Sequence, residues 1–290
     1  MKIIDTTTYF KEDLMLEMRF NILDKYVDHF VICEANYSHS GIKKKLFFNI
    51  NNFKKFKKKI IYLVVDDEPK NIISNHKNEI SILRNNSICR INHQRNFIKN
   101  SLKYFSPEDF IMYSDNDEIP NLEEVIFKSL SKNIIIFNQK LFYYKLNLFL
   151  PNVEWFGTKG CTVKYLEDFT WLRNIKNKTY KPYRLDTLFS KSKYLKTKII
   201  NNGGWHFSNL KDINGLREKY LNDENHAEFS KQMTLDKITS DVSNWTIDYD
   251  HNADKRSNSK NKKVKLQKDN IKNLPEFIVK NKSNYLDWLV

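Results

Sequence analysis

The stretch Phe110-Ile-Met-Tyr-Ser-Asp-Asn-Asp-Glu-Ile-Pro120 decides the fold prediction, because it runs an apolar strand directly into an acidic segment. In open α/β sheets, ligands bind outside the carboxyl ends of the strands, where these acidic residues would lie. Asp115 and Asp117 are two residues apart, so both carboxylates can face one divalent cation, and oxygen ligands favour Mg²⁺ or Mn²⁺. The alternative is an Asp-rich turn that only caps a helix beginning at Pro120.

Strand-like and helix-like segments alternate along the first half of the chain, on both sides of this stretch. Short apolar runs indicate strands, and apolar residues at a spacing of 3.6 indicate helices. The predicted strands are 2–7, 30–33, 60–65, 110–113 and 134–137, and the predicted helices are 12–26, 78–104 and 121–130. This alternation predicts an α/β fold with a central, mostly parallel sheet flanked by helices.

The second half of the chain has a different pattern. Residues 139–200 are aromatic and β-rich, and helical spacing returns at 211–221 and 229–240. Residues 254–268 are polar and rich in Lys and Asn, which indicates a linker, whereas 277–289 are apolar enough to dock on the core.

The formal net charge is +14, from 49 basic and 35 acidic residues, and it raises the possibility of a nucleic-acid or membrane-surface partner. Lys residues are dispersed over the whole chain, however, as expected for a solvated surface in a composition shifted toward Lys, Asn and Ile. Arg, which recognises phosphate with bidentate geometry, is the rarer cation. Charge alone therefore identifies no partner, although peripheral contact with an anionic membrane remains compatible with it.

Localisation signals are mostly absent from the sequence. Neither a signal peptide at Met1–Thr8 nor an apolar run of about 18 residues is found, so a membrane-spanning segment is not expected. The three cysteines (Cys33, Cys89 and Cys161) are far apart and lack metal-binding spacing. These observations predict a cytoplasmic protein, with a peripheral position at a membrane still open.

A second motif, Asn201-Asn-Gly-Gly-Trp-His-Phe-Ser208, places two of the six glycines directly before Trp205 and His206. Adjacent glycines permit close backbone approach or positive φ, as in a loop that folds over a ligand. His206 can then ligate a metal or contact a diphosphate, and the alternative is a structural histidine in the core.

These motifs, together with the N-terminal segment, resemble glycosyltransferase family 17, which includes the β-1,4-mannosyl-glycoprotein β-1,4-N-acetylglucosaminyltransferases. The similarity runs over most of the chain in the same order. The matching segments are Leu16–Arg19, Val27–Asp28, Phe30–Asn36, Gly41, Asp115–Pro120, Gly160–Val163, Gly204–His206 and the tail at Pro275–Leu289.

The resemblance implies a GT-A-like nucleotide-sugar-binding fold and an inverting transfer that gives a β linkage. It further implies UDP-GlcNAc as the donor, a glycan as the acceptor, and Mn²⁺ or Mg²⁺ as cofactor. The expected catalytic domain covers 1–250, with the donor half at about 1–138 and the acceptor half at about 139–250, and residues 251–290 form the linker and the docking segment.

Individual site residues follow from the same resemblance. Asp115 and Asp117 would hold the cation, and His206 would add a metal or diphosphate contact. Glu34 and Arg95, with Trp205, are assigned to donor binding. The alternatives are a helix cap or surface acid for Glu34, and for Arg95 a salt bridge beneath the acidic segment.

The general base that an inverting transfer requires is not identified by the sequence. Glu228 is similar to a His-x-Glu element of bacterial relatives, and Glu154 adjoins Trp155, whose indole face can stack on a sugar. The further candidates are Glu167, Asp168 and Asp186.

Two other function classes are weighed against a glycosyltransferase. A nucleic-acid-binding protein would use the positive charge, but no helix-turn-helix, zinc-finger or RNA-recognition signature is found. A metal-dependent nucleotidyltransferase would keep the nucleotide and the metal, although a phosphate-binding loop with Gly-Lys-Ser/Thr is lacking. The sequence leaves the acceptor glycan and the exact donor sugar open.

Overall fold

The structure is a computed structural model that describes residues 1–74, 79–123, 125, 134–178, 180–181, 183–187, 189–193, 196–248 and 263–290. Its strands are β1 Ile3–Tyr9, β2 His29–Ala35, β3 Ile60–Val65, β4 Phe110–Ser114, β5 Glu118–Pro120, β6 Ile134–Tyr143, β7 Leu148–Phe149, β8 Trp155–Thr162, β9 Thr197–Ile200, β10 Gly204–Ser208, β11 Thr246–Ile247, β12 Val264–Lys265 and β13 Gln267–Lys268. Its α-helices are α1 Asp13–Leu23, α2 Ile80–Phe97, α3 Phe169–Asn174, α4 Ile213–Asn222, α5 His226–Gln232, α6 Leu235–Asn244 and α7 Glu276–Lys280. Short 3₁₀ helices include Ile50–Phe56, Ile98–Tyr104 and Lys282–Trp288.

The main sheet begins with four parallel strands in the order β3-β2-β1-β4. Beyond β4 the sheet becomes mixed, because β8 runs antiparallel to both β4 and β6. Strands β9 and β10 pair parallel with β6, and β5 pairs antiparallel with β10. The predicted α/β fold with a mostly parallel sheet flanked by helices is therefore confirmed, and the antiparallel β8 is an addition to it.

Hydrophobic side chains alternate between the two faces of the sheet, as the period of two in a strand requires. In β2, Phe30 and Ile32 pack into a core with α1 and α7, whereas Val31 and Cys33 face a second core with the 3₁₀ helix Ile98–Tyr104 and α3. A third core, formed around β6, α4 and α6, contains Leu216 and Ile238 among its fully buried side chains.

Two predicted segments differ from the structure or lie partly outside it. Instead of opening a helix, Pro120 ends β5, and the Asn121 backbone N–H donates to Gly203 O at 2.9 Å. Most of the rest of the predicted helix 121–130 lies outside the described residues, as do residues 254–262 of the predicted linker 254–268. Residues 264–268 pair as β12 and β13 with β11 and β7.

The C-terminal segment packs against the sheet face that also carries α1. Leu274, Ile278 and Tyr285 are buried in the first core. Leu146 N donates to Trp288 O at 2.8 Å, which joins the end of the chain to the turn after β6.

A fully buried ion pair joins the first strand to the first helix. The Arg19 guanidinium on α1 donates two hydrogen bonds of 2.6 Å to the Asp5 carboxylate on β1. Its third hydrogen bond, also 2.6 Å, goes to the carbonyl of Glu118 at the start of β5. Arg19 therefore fixes the acidic segment relative to the parallel strands.

Replacing Asp5 with Asn leaves the Arg19 charge buried without its partner. We expect the free energy of unfolding to fall by about 3–5 kcal/mol, measured by urea denaturation. The control is Asp24→Asn, which removes a partly exposed pair with Lys59 of 2.9 Å and should cost about 0–1 kcal/mol. Equal losses in both variants would contradict the role given to Arg19.

Candidate active site

The acidic turn, Asp115–Glu118, lies at the carboxyl end of β4, as the sequence predicts. It is closed by a hydrogen bond of 3.0 Å from Glu118 N to Asp115 O. After the turn, β5 pairs with β10 so that Glu118 lies opposite His206. The second predicted motif therefore meets the first one across an antiparallel strand pair.

Asp115 is held by two guanidinium groups. Arg173 donates to its Oδ2 at 2.6 Å and Arg95 to its Oδ1 at 3.4 Å, and the Tyr113 hydroxyl donates to Oδ1 at 2.9 Å. Burial opposes ionisation, but Arg173 and Arg95 outweigh it and lower the pKa of Asp115. The carboxylate is ionised, and its side chain remains 35% exposed.

Arg173, which the sequence did not single out, is the central cation of the site. Besides Asp115, it donates to both carboxylate oxygens of the buried Glu118 at 2.8 and 3.1 Å, and to Gly157 O at 2.6 Å. Glu118 also accepts from Trp155 Nε1 at 2.7 Å. Glu118 therefore anchors the acidic turn from its buried side. The sequence spacing of Glu118 gives no indication that Arg173 is its partner.

Asp117 faces a histidine and a lysine side chain. His206 Nε2 lies 3.3 Å from its Oδ1, and Lys219 Nζ on α4 lies 3.6 Å from its Oδ2. Burial would raise the pKa of Asp117, but His206 and Lys219 reverse that effect and lower it. The predicted approach of His206 to the acidic segment is thus seen in the structure.

Asp117 and His206 fit a divalent cation as two adjacent ligands. Two ligand atoms about 2.1 Å from an octahedral ion are about 3.0 Å apart, close to the 3.3 Å measured here. Nδ1 of His206 is buried and has no hydrogen-bond partner among the described residues, which leaves the orientation of the ring unfixed from that side. Asp115 fits less well because its oxygens already accept from Arg95 and Arg173.

The described residues contain no group of three or more His, Cys, Asp or Glu arranged to hold a metal. Two protein ligands still suit Mg²⁺ or Mn²⁺, which are commonly bound by one or two carboxylates together with substrate phosphates and water. Of the three residues predicted to hold a metal, Asp117 and His206 have the spacing that suits two adjacent ligands of one cation.

Glu34, expected beside a nucleotide, is fully engaged in anchoring a loop. Its buried carboxylate accepts from Lys44 Nζ at 2.6 Å, Phe47 N at 2.8 Å, Phe48 N at 3.0 Å and the Tyr62 hydroxyl at 2.8 Å. These four donors occupy the carboxylate, so the structure places Glu34 in neither a helix cap nor an exposed position.

Arg95 and Trp205 lie in different surroundings. Arg95 on α2 forms the salt bridge beneath the acidic turn and lies over the Tyr113 ring at 5.1 Å, which matches its alternative interpretation. Trp205 packs against the first core and donates from Nε1 to Asn273 O at 2.9 Å. Since neighbouring residues of a strand point to opposite faces, Trp205 turns away from the face on which His206 meets Asp117.

The two main candidate bases are exposed. Glu154 accepts from Asn138 Nδ2 at 3.0 Å, and Glu228 lies on α5. Within the described part of the chain, neither is hydrogen bonded to the acidic turn. The structure therefore does not bring them to Asp115 and Asp117.

The two adjacent glycines are required by close backbone packing. A Cβ on Gly203 would lie 2.6 Å from Asn138 N, and one on Gly204, whose φ is +117°, would lie 2.2 Å from Ile119 O. The expected close approach is present, but it serves the packing of β10 against β5 and β6. A loop folded over a ligand is not needed to explain it.

His39 is a further group at this edge that sequence reasoning missed. It lies in the loop after β2, and burial lowers its pKa, while the nearby charges are Asp223, Arg95 and Asp115. Together with Lys219, these residues show that the loops after β2 and β4 meet α2 and α4 around the acidic turn.

Lys159 on β8 supports the segment that carries Arg173. Its ammonium group donates to Ile175 O at 2.8 Å and to Arg173 O. Burial, and then repulsion by Arg173, lower the pKa of Lys159 to about 7. The charge of this buried lysine is therefore lost near neutral pH.

Residues 1–237 match the model of a family described as Glycosyltransferase family 17. The chain described above is thus a glycosyltransferase by its family match. The chain is a member of glycosyltransferase family 17, as its sequence motifs had indicated. None of the curated proteins compared with the chain matches it significantly.

Two solved structures of HddC from Yersinia pseudotuberculosis show a distant similarity. One is 13% identical with a TM-score of 0.35, and the other, complexed with GMP-PN, is 11% identical with a TM-score of 0.32. Each covers 69% of this chain and 91% of HddC.

Throughout the described ranges, no helix combines the length and apolar character needed to cross a bilayer.

Replacing Arg173 with Lys keeps the charge but removes the planar guanidinium group that donates to both Asp115 and Glu118. We expect the free energy of unfolding to fall by about 1–3 kcal/mol, because charged hydrogen bonds are lost in a buried position. The matched control is Arg184→Lys, which alters an exposed pair with Asp186 and should leave the urea midpoint unchanged. A similar midpoint for both variants would contradict the proposed role of Arg173.

Stability should depend on pH through Lys159. In the unfolded chain its pKa returns to 10.5, so from about pH 7 upward the unfolded state binds a proton that the folded state lacks. The free energy of unfolding then rises with pH by up to about 1.4 kcal/mol per unit. Lys159→Met lacks this contribution, so wild type should gain stability relative to the variant between about pH 7 and 9. If urea denaturation gives a difference in free energy of unfolding between wild type and Lys159→Met that does not change with pH, the prediction is wrong.

Proposed function

We propose that the protein transfers GlcNAc from UDP-GlcNAc to a glycan acceptor, with inversion and a β linkage, at the acidic turn. The observation that carries the proposal is the pairing of Asp117 with His206 at the carboxyl end of the parallel strands, 3.3 Å apart. Membership of glycosyltransferase family 17 supports the reaction class. A GT-A-like division into a donor half at about 1–138 and an acceptor half at about 139–250 is part of the proposal.

Asp117 and His206 are the residues that would hold Mn²⁺ or Mg²⁺. Such a cation supplies positive charge next to the diphosphate of the donor and offsets the charge that develops on the departing UDP. Lys219, whose pKa is raised by Asp117 and Asp223 against the effect of burial, stays protonated beside the same carboxylate.

The remaining residues of the site position the turn. Arg173 and Arg95 keep Asp115 ionised and fixed in one orientation, and Glu118 is locked by Arg173 and Trp155. A site whose carboxylates are already oriented needs little rearrangement when the substrate binds, which is how enzymes favour the transition state. We assign the same positioning role to the buried carboxylate of Glu118.

Glycosyl transfer is better supported than the two alternatives. Nucleotidyl transfer would need the nucleotide and metal but has no support from the family match, which names a glycosyltransferase. Nucleic-acid binding would rely on the basic surface, whereas the cations at the acidic turn are paired with its carboxylates.

The proposal predicts that donor binding requires both the cation and Asp117. UDP-GlcNAc should bind in Mn²⁺ and lose its affinity in EDTA, measured by isothermal titration calorimetry. Asp117→Asn and His206→Ala should each lower kcat/KM for donor hydrolysis by about 100-fold or more.

Asp236→Asn is the matched control, because Asp236 is an exposed carboxylate on α6 outside the acidic turn. Its donor affinity and rate should equal those of wild type. A wild-type protein that binds no UDP-sugar with either cation, or an Asp117→Asn variant that turns over normally, would overturn the proposal.

A further inference from the structure

A cleft of about 380 Å³ opens beside the acidic turn, between the start of α1 and the start of α4. Its volume lies within the range of small-molecule binding sites. Glu12 and Lys211 line it near the turn, Glu218 and Asn214 line it from α4, and Trp288 of the C-terminal segment contributes an aromatic surface. The proposed function assigns nothing to this cleft.

Glu12 connects the cleft with the acidic turn. Its Oε2 accepts from the side chain of Asn116, the residue between the two aspartates, at 3.1 Å, and from Phe10 N at 2.9 Å. Glu12 lies between the end of β1 and the start of α1, and the carboxyl end of β1 is beside that of β4. Lys219 on α4 reaches Asp117 from the same side. A molecule in the cleft would therefore lie next to a donor bound at Asp117.

The cleft is acidic although the protein as a whole is basic. Its lining contains four carboxylates, from Glu12, Asp13, Asp212 and Glu218, and two ammonium groups, from Lys11 and Lys211. The two ammonium groups pair with Glu218 at 3.0 Å and Glu12 at 3.4 Å, which leaves an excess of negative charge. Such a lining repels anions, whereas carboxylates accept hydrogen bonds from the hydroxyl groups of a neutral sugar, and an indole ring packs on its apolar face.

Among these carboxylates, Glu12 is the one placed to receive a proton near the donor. Its Oε2 is occupied by Asn116 and Phe10, but among the described residues its Oε1 contacts only Lys211, at 3.4 Å. Asp13 is tied to the Tyr9 hydroxyl at 2.6 Å, and Glu218 is paired with Lys11 away from the turn.

We propose that this cleft binds a neutral sugar acceptor and that Glu12 is the general base of the transfer, an inference that rests on the proposed function. Oε1 of Glu12 takes the proton of the acceptor hydroxyl while the acceptor oxygen forms a bond to the anomeric carbon of the donor. The bond between that carbon and the diphosphate oxygen breaks, UDP leaves with the electron pair, and the Glu12 proton is then released to water.

Two variants test the base and the cleft separately. Glu12→Gln preserves the size of the side chain and an acceptor for Asn116 and Phe10, so it should fold. Asn214→Trp places a large ring at an exposed position on the cleft wall. The assay measures UDP release from UDP-GlcNAc with p-nitrophenyl glycosides of mannose, glucose, galactose and GlcNAc, with the matching glucuronide as the anionic probe.

We expect Glu12→Gln to lower kcat for transfer by about 100-fold while the Kd of the donor stays within about twofold of wild type. Glu12→Asp, which keeps a carboxylate, should recover part of that rate. Asn214→Trp should raise the acceptor KM by about tenfold or more and leave donor hydrolysis unchanged. The control Glu17→Gln, an exposed carboxylate on the outer face of α1, should behave as wild type.

The inference is overturned if Glu12→Gln transfers at a rate within about threefold of wild type, or if Asn214→Trp leaves the acceptor KM unchanged. It is equally overturned if the glucuronide is used as well as the neutral glycosides, or if the wild type hydrolyses the donor but uses no glycoside of the panel. In all these cases donor binding at Asp117 stays intact. Loss of donor binding by the wild type would instead refute the proposed function itself.

Discussion

The Arg19 guanidinium, buried between the first strand, the first helix and the acidic turn, is the interaction on which the arrangement of the site depends. It donates two hydrogen bonds to the Asp5 carboxylate and a third to the carbonyl of Glu118. A charge in this position is tolerated only when fully paired, so the three elements must keep their relative positions. The acidic turn is therefore held in a fixed position relative to the parallel strands.

A second guanidinium holds the turn from the opposite side of the chain. Arg173 comes from the C-terminal part and clamps Asp115 and Glu118 together. Lys159 in turn donates to the backbone carbonyls of Arg173 and Ile175. The turn is thus held by residues from both halves of the chain. Asp117 has different partners, His206 and Lys219, and under the proposed function these side chains would face the donor. The two neighbouring aspartates therefore have different surroundings: Asp115 is fixed by two guanidinium groups, whereas Asp117 contacts a histidine and a lysine.

Much of the fold could be predicted from the sequence because its signals are local. The apolar run 110–113 followed by acidic residues indicated both a buried strand and the end of the sheet at which the candidate site lies, and the family motifs supplied His206 as its partner.

Arg173, Glu12 and Glu118 were missed because their partners are distant in sequence and carry no pattern. Glu34 was assigned to donor binding, and the sequence did not indicate the four hydrogen-bond donors that a loop and a neighbouring strand supply to its carboxylate. Trp205 was assigned with His206, but alternation along a strand sends the two side chains to opposite faces.

The scarcity of glycine has a consequence for how this sequence can diverge. A composition drifted toward Lys, Asn and Ile keeps only six glycines, and an added Cβ would come closer than 3.0 Å to a neighbouring atom at five of them: Gly41, Gly157, Gly160, Gly203 and Gly204. At Gly157 the obstacles are the side chains of Gln139 and Glu118, so a paired substitution could relieve them. At Gly203 and Gly204 an added Cβ would instead meet backbone atoms, which a second mutation cannot make smaller. The two glycines in the strand pair that joins the motifs must therefore be kept, even while surface residues change.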